Sequence, residues 1–221
     1  MPKESKEARS ERAAEIDRRL AKAYPDARCL LDHSNPYELL TATILAAQCT
    51  DDMVNKVTKD LFRKYPTPAD LAAADPGTLG SEIKSTGFFR QKAKSIHGMA
   101  EAVVKDHGGE VPGTMEELVE LPGVGRKTAN VVLGNCFDAP AIIVDTHMIR
   151  VSRRLGLASD KLKKNADKIE AALQEVIDED RWTAFSHEMT FHGRRCCTAR
   201  KPRCPEGPVE DLCPWPEKTQ P

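Results

Sequence analysis

This sequence of 221 residues lacks a continuous apolar run of the roughly 20 residues that a transmembrane helix needs. Its first 19 residues, Met1 to Arg19, are charged and lack the apolar core of a secretory signal. The sequence therefore predicts a cytoplasmic protein with no membrane partner. An excess of charge of one sign is also missing, since 33 basic side chains balance 34 acidic ones. Any surface for nucleic acid must come from an uneven distribution of charge.

Alternating strand patterns are almost absent, whereas helix signals recur from end to end. The composition, 40% hydrophobic and 30% charged, excludes general disorder, and the length can bury a core without disulfides. Asn35 before Pro36, Thr50, and Thr114 are typical helix caps. We therefore predict an all-α protein with around ten short helices, in which 142–144 is the best strand candidate.

The most informative stretch is LPGVGRKTAN at residues 121–130. Pro122 prevents the preceding helix from continuing, and Gly123 and Gly125 permit a tight hairpin. Such a hairpin turns backbone N–H groups and the positive end of the second helix outward, which suits a phosphate. A simple turn, in which the glycines only relieve strain, is the alternative interpretation.

Two further residues favour chemistry at this hairpin. Lys127 falls at the start of the second helix, where the helix dipole and Arg126 both disfavour a protonated amine. A partly neutral lysine is what Schiff-base chemistry needs. Asp145 ends an apolar run and precedes Thr146 and His147; helix capping is its simplest interpretation.

Five ordered segments carry a resemblance to a known family. The hairpin, VDTH at 144–147 and a C-terminal cysteine loop resemble the endonuclease III family of the helix–hairpin–helix DNA glycosylase superfamily. AQCTD at 47–51 and GFFRQKA at 87–93 resemble two further segments of that family. The resemblance extends over nearly the whole chain.

The resemblance implies a role for each matching residue. Lys127 is the catalytic amine and Asp145 its carboxylate partner, while Gln48 fills the gap left by an extruded nucleotide and Phe88 is a wedge in the opposite strand. Of Phe88 and Phe89 we expect one to be exposed and one buried. Further predicted DNA contacts are Gly123, Gly125, Arg126 and His147.

The cysteine loop departs from the family pattern C-x6-C-x2-C-x5-C, which holds a 4Fe–4S cluster. Cys197, Cys204 and Cys213 match three of its positions, but the third position is Gly207, and an additional Cys196 precedes the first. Four thiolates normally hold such a cluster. We expect a bound 4Fe–4S cluster with Cys197, Cys204, Cys213 and a fourth ligand.

Several alternatives remain open for the fourth ligand. Cys196 supplies it if the helix ends there, which Gly193 just upstream favours. Glu206 or water is a second candidate, and an absent or labile cluster is a third. Zinc held by His192 and three cysteines is a weaker fourth, because the spacing is unlike common zinc modules.

The same loop is basic, which is the uneven charge that the net charge conceals. Beside a DNA-binding hairpin we expect it to contact phosphates, although a solvated face is the simpler interpretation. The predicted phosphate contacts are Arg200, Lys201 and Arg203.

The resemblance implies two all-α lobes. A helical barrel with the hairpin spans 29–139, and a discontinuous iron–sulfur cluster domain joins 1–28 to 140–221, with damaged duplex DNA in the cleft between them. The implied activity is a bifunctional glycosylase and AP lyase for oxidised pyrimidines, acting as a monomer associated with the nucleoid.

Two rival functions are weighed against this activity. An adenine glycosylase lacks an amine at the position of Lys127 and carries an extra C-terminal domain that this chain is too short to hold. A non-catalytic DNA-binding module has no need of both Lys127 and Asp145.

Overall fold

The computed structural model describes residues 4–219, and its regular structure in that range is entirely helical. Eleven α-helices and four short 3-10 turns are present there, with no β-strand, which confirms the predicted all-α class. In chain order the α-helices are α1 (Lys6–Ala23), α2 (Pro36–Leu45), α3 (Asp51–Lys64), α4 (Pro68–Ala72), α5 (Pro76–Glu82), α6 (Phe89–Asp106), α7 (Met115–Glu120), α8 (Arg126–Cys136), α9 (Thr146–Arg154), α10 (Ala166–Gln174) and α11 (Trp182–Arg195). The 3-10 turns are Lys84–Thr86, Asp160–Leu162, Glu179–Arg181 and Cys204–Glu206.

Side-chain caps fix where several helices begin. Asn35, Thr50 and Thr114 each accept a hydrogen bond from a backbone N–H in the first turn of α2, α3 and α7 respectively. Each cap satisfies one of the donors that the first turn leaves without an intrahelical partner. The helix starts predicted at these residues are confirmed.

The chain divides into two compact units. The continuous unit is Cys29–Ala139, and the terminal unit combines the chain up to Arg28 with the chain from Pro140 onward. The continuous unit contains α2 to α8 and is built around α2, eight of whose ten residues are buried. The terminal unit contains α1 and α9 to α11, and there Ile16 and Leu20 of α1 are fully buried.

The segment 141–144 is buried, but it is neither a strand nor a helix. The Ala141 N–H donates to Oγ1 of Thr183 (3.2 Å), and the Ile143 N–H donates to Oγ of Ser186 (2.9 Å). Hydroxyl groups of α11 thus accept the hydrogen bonds that a neighbouring strand would accept in a sheet. The strand prediction for 142–144 is therefore wrong. Among residues 4–219, no helix is both long and apolar enough to cross a membrane.

Candidate active site

The turn between α7 and α8 is a tight hairpin held by apolar side chains. Leu121 and Val124 are buried, and the Val124 N–H donates to the Leu121 carbonyl (3.1 Å). Gly123 adopts φ +79°, and a Cβ there would lie 2.6 Å from Cβ of Ser95 in α6. Glycine is therefore required at residue 123, both for the left-handed backbone and for the close approach of α6.

The N-terminus of α8 presents the hairpin's polar groups. Gly125 is the N-cap residue and supplies no side-chain cap, and an added Cβ there would meet no atom within 4 Å. Arg126 and Lys127 are the first two residues of α8, and both are exposed. An anion bound here would meet the positive end of an eleven-residue helix and an amine one residue into it.

Asp145 caps α9 with one carboxylate oxygen. Its Oδ1 accepts a hydrogen bond from the Met148 N–H (2.6 Å), and its Oδ2 accepts one from the Thr190 hydroxyl at the longer distance of 3.4 Å. The side chain is half-buried. The capping interpretation is therefore confirmed, and capping uses one of the two carboxylate oxygens.

His147 follows two residues later and is half-buried. The Arg150 guanidinium donates to its Nδ1 (3.1 Å) and to the Gly193 carbonyl (2.9 Å). Burial lowers the pKa of His147, and Arg150 and Arg194 lower it further, against the opposing effect of Asp145. Gly193 lies inside α11, where a Cβ would come within 3.0 Å of the His147 ring. The expected end of the helix at Cys196 is confirmed, since α11 ends at Arg195; Gly193 itself lies within the helix and admits a neighbouring side chain.

Two exposed side chains sit on strained turns of the continuous unit. Gln48, between α2 and α3, has φ +54°, and Phe88, just before α6, has φ +46° and is 68% exposed. Left-handed backbone is uncommon for residues other than glycine and costs about 1–3 kcal/mol. Phe89 is half-buried against Gly80 rather than fully buried, so the expected contrast between the two phenylalanines is present but incomplete.

A buried lysine that sequence reasoning missed connects these two turns. Lys92 of α6 is 5% exposed, and its Nζ donates to the carbonyls of Leu45 (2.8 Å) and Thr86 (2.6 Å). Leu45 ends α2, three residues before Gln48, and Thr86 lies two residues before Phe88. Burial lowers the pKa of the Lys92 amine. The lysine in GFFRQKA was the signal available in the sequence.

The four C-terminal thiols line one cavity of the terminal unit, together with the buried ring of His192. No three Cys, His, Asp or Glu side chains within residues 4–219 are grouped as the ligands of a single metal ion would be. Burial raises the pKa of the Cys196 thiol to about 11, as do the neighbouring thiols, and burial also raises the pKa of Cys213.

Arginines of α9 reach this loop, which the sequence did not reveal. Arg150 Nε donates to the Cys197 carbonyl (3.1 Å), and Arg154 donates to the Thr198 carbonyl (2.8 Å) and to Sγ of Cys197 (3.3 Å). The two arginines are four residues apart on one helix and therefore share a face. The spacing of the two arginines after VDTH was nevertheless a signal in the sequence that they contact one surface.

The predicted phosphate contacts of the loop differ in their surroundings. Arg200 and Lys201 are exposed, and neither has an ion pair among the described residues. Arg203 is also exposed, but it pairs with Glu206 (3.1 Å) and donates to the Arg195 carbonyl. These roles, and those of Lys127 and Asp145, stay predictions.

Comparisons with known proteins agree with these features. Residues 41–179 match the family model described as "HhH-GPD superfamily base excision DNA repair protein". Endonuclease III of Bacillus subtilis strain 168 is 48% identical over 86% of each chain, and that of a Synechocystis strain is 49% identical over 94% of each chain. A solved structure of a trapped endonuclease III–DNA covalent intermediate is 44% identical with a TM-score of 0.88, covering 93% of this chain and 96% of that one. The chain therefore belongs to the endonuclease III family, within the HhH-GPD superfamily of base excision DNA repair proteins.

Proposed function

We propose that this protein is a bifunctional DNA glycosylase and AP lyase that removes oxidised pyrimidines from damaged duplex DNA. The observation that carries the proposal is the position of Lys127. Its side chain is exposed on the second residue of α8, directly after a hairpin suited to a phosphate. An amine that lies beside a bound backbone phosphate is close to the sugars that this phosphate joins.

Substrate binding begins with the hairpin and with the two exposed turns. Backbone N–H groups around Gly123 and Gly125 hold a phosphate, while Phe88 enters the base stack. Aromatic stacking on bases contributes about 1–3 kcal/mol per base, which offsets part of the cost of extruding a nucleotide. Gln48 fills the space that the extruded nucleotide leaves. Both side chains are already exposed in this structure.

The chemistry proceeds through a covalent intermediate on Lys127. The lone pair of Nζ attacks C1′ of the sugar as the bond between C1′ and the base breaks, and the electron pair of that bond leaves with the base. Opening of the sugar ring gives an imine between C1′ and Nζ. The imine acidifies the C2′ proton; its removal expels the 3′ phosphate oxygen with its electron pair, and water then releases Lys127.

The proposed role of Asp145 uses the carboxylate oxygen that does not cap α9. Oδ1 stays bound to the Met148 N–H and keeps the carboxylate oriented. Oδ2 accepts the proton that the attacking amine loses, or stabilises positive charge on the sugar. Capping and catalysis thus use different oxygens of one carboxylate.

Borohydride trapping tests the nucleophile. We expect the wild-type protein to be trapped on duplex DNA that carries an oxidised pyrimidine or an abasic site, because borohydride reduces the imine to a stable amine. Lys127→Ala should yield no adduct. Arg126→Ala is the matched control, since it removes a neighbouring charge but keeps the amine, and it should still be trapped. Undiminished trapping of Lys127→Ala would refute the proposal.

Asp145→Asn separates catalysis from capping. Asparagine caps helices as well as aspartate does, so the melting temperature and DNA affinity should stay close to those of the wild type. Base excision should fall by about 10²–10⁴-fold, the usual contribution of a positioned proton acceptor. Asp145→Ala should lose excision and also about 1 kcal/mol of stability. Unchanged excision in Asp145→Asn would show that the carboxylate only caps α9 and takes no part in excision.

We also propose that the cysteine loop holds a 4Fe–4S cluster. Four thiols lining one cavity, without the close grouping of a single-ion site, suit a cluster whose irons each take a separate thiolate better than they suit zinc. When bound, the cluster supplies iron–thiolate bonds that order the loop. We further propose that the protein acts as a monomer and associates with the nucleoid through its DNA substrate.

A further inference from the structure

We infer that Cys196 provides the fourth thiolate of the cluster, in the space that a side chain at residue 207 would otherwise fill. The inference deepens the cluster proposal and rests on it. It explains the two departures from the family pattern together: the cysteine missing at Gly207 and the additional cysteine at residue 196 are one relocated ligand.

The steric evidence comes from Gly207. A Cβ built on this glycine would lie 2.9 Å from Sγ of Cys196 and 3.1 Å from the Cys204 carbonyl oxygen. Real Cβ atoms do not approach a sulfur that closely, so a side chain at 207 and the present position of Cys196 Sγ exclude each other. The sulfur of Cys196 therefore occupies the volume into which a cysteine at residue 207 would project.

The backbone removes the objection that adjacent cysteines diverge. Neighbouring side chains on an α-helix point about 100° apart, which would keep Cys196 and Cys197 from a common site. However, α11 ends at Arg195, and Cys196 has φ −127° and ψ −65°, outside the helical region. The N–H groups of both cysteines donate to the His192 carbonyl, at 2.9 and 2.8 Å, and both residues line the same cavity.

The competing donors are less suitable. The Glu206 carboxylate is paired with Arg203 (3.1 Å), its side chain is 63% exposed, and it does not line the cavity. His192 also lines the cavity, with its Nδ1 hydrogen-bonded to the Tyr24 hydroxyl (2.9 Å); this leaves Nε2 as its donor atom, but a thiolate is the usual ligand of a 4Fe–4S cluster. Sγ of Cys196 has only the Arg203 carbonyl as its hydrogen-bond acceptor (3.1 Å), a contact that loss of the thiol proton releases.

The inference is tested by moving the fourth cysteine from residue 196 to residue 207. Iron and sulfide per chain, with the visible spectrum, are measured after air exposure for the wild type, Cys196→Ala, Gly207→Cys and the double variant Cys196→Ala/Gly207→Cys. We expect about four irons in the wild type, loss of more than half in Cys196→Ala, no gain in Gly207→Cys, and recovery in the double variant. Cys49→Ala, which removes a thiol of the continuous unit, should keep the wild-type content.

Three results would overturn the inference. The first is full iron content in Cys196→Ala, and the second is a double variant no better than Cys196→Ala, whether it is iron-poor or insoluble. The third is a wild type without iron. Borohydride trapping of the same wild-type preparation separates this failure from that of the proposed function: iron without trapping refutes the glycosylase and lyase activity, and trapping without iron refutes the cluster and its ligand.

Discussion

Two segments proposed to contact DNA, the hairpin segment (residues 114–136) and the cysteine loop (residues 196–219), are ordered by different forces. The hairpin segment is fixed by apolar side chains packed in the continuous unit. Its buried hydrophobic residues are Leu118, Leu121, Val124, Ala129, Val131, Val132 and Leu133. Within the cysteine loop the buried hydrophobic residues are Cys196 and Val209.

Polar contacts replace the missing apolar core of the cysteine loop. Arg12 and Arg19 of α1 donate to the carbonyls of Leu212 and Pro208, each at 3.3 Å, and Arg154 of α9 donates to the loop from another side. Hydrogen bonds from charged donors contribute about 1.5–3 kcal/mol at best. Packing of apolar side chains thus fixes the hairpin that is proposed to bind a phosphate, whereas the loop depends on charged donors and on the proposed cluster.

The two glycines of the hairpin give the sharpest test of order by packing. Gly123→Ala should destabilise the protein by about 2–5 kcal/mol, because it combines a left-handed φ with a Cβ 2.6 Å from that of Ser95. Gly125→Ala should change stability by less than about 0.5 kcal/mol, since its φ of −102° suits alanine and no atom lies within 4 Å of the new methyl group. Thermal and denaturant unfolding measure both.

The affinity for DNA is a second measurement, and it should respond to Gly125→Ala although stability does not. If Gly125 is glycine so that a phosphate can approach the backbone, Gly125→Ala should bind duplex DNA at least several-fold more weakly while melting normally. Equal destabilisation by the two substitutions would show that packing does not distinguish them. Unchanged DNA binding by Gly125→Ala would remove Gly125 from the phosphate site.

Features whose cause lies nearby in the chain could be predicted from the sequence. Helix starts at Asn35, Thr50 and Thr114 were predictable because each cap acts on its own first turn. The hairpin was predictable because proline and glycine restrict the backbone locally. In these cases the cause and the structure lie within a few residues of each other.

Features that depend on partners distant in the chain were not predictable. The segment 141–144 has the composition of a strand, but its backbone N–H groups bond the hydroxyls of Thr183 and Ser186, some 40 residues away. Gly193 lies within α11 and admits the His147 ring, and nothing in the sequence places these two residues together. Lys92 stands out within GFFRQKA, but the sequence does not show that its amine binds the carbonyls of two separate turns.

The exposed charges of the cysteine loop test its proposed contact with phosphates. Arg200 is exposed without an ion pair among the described residues, whereas Arg203 shares its charge with Glu206 and donates to the Arg195 carbonyl. One lost phosphate contact lowers the slope of log K against log salt by about 0.9. Arg200→Ala should therefore reduce the salt slope by nearly that amount and leave the melting temperature unchanged. Arg203→Ala should reduce the slope less and lower the melting temperature, because its guanidinium also ties the loop together. Equal slopes for Arg200→Ala and the wild type would exclude Arg200 from the interface, and a normal melting temperature for Arg203→Ala would show that the loop does not depend on this charged donor.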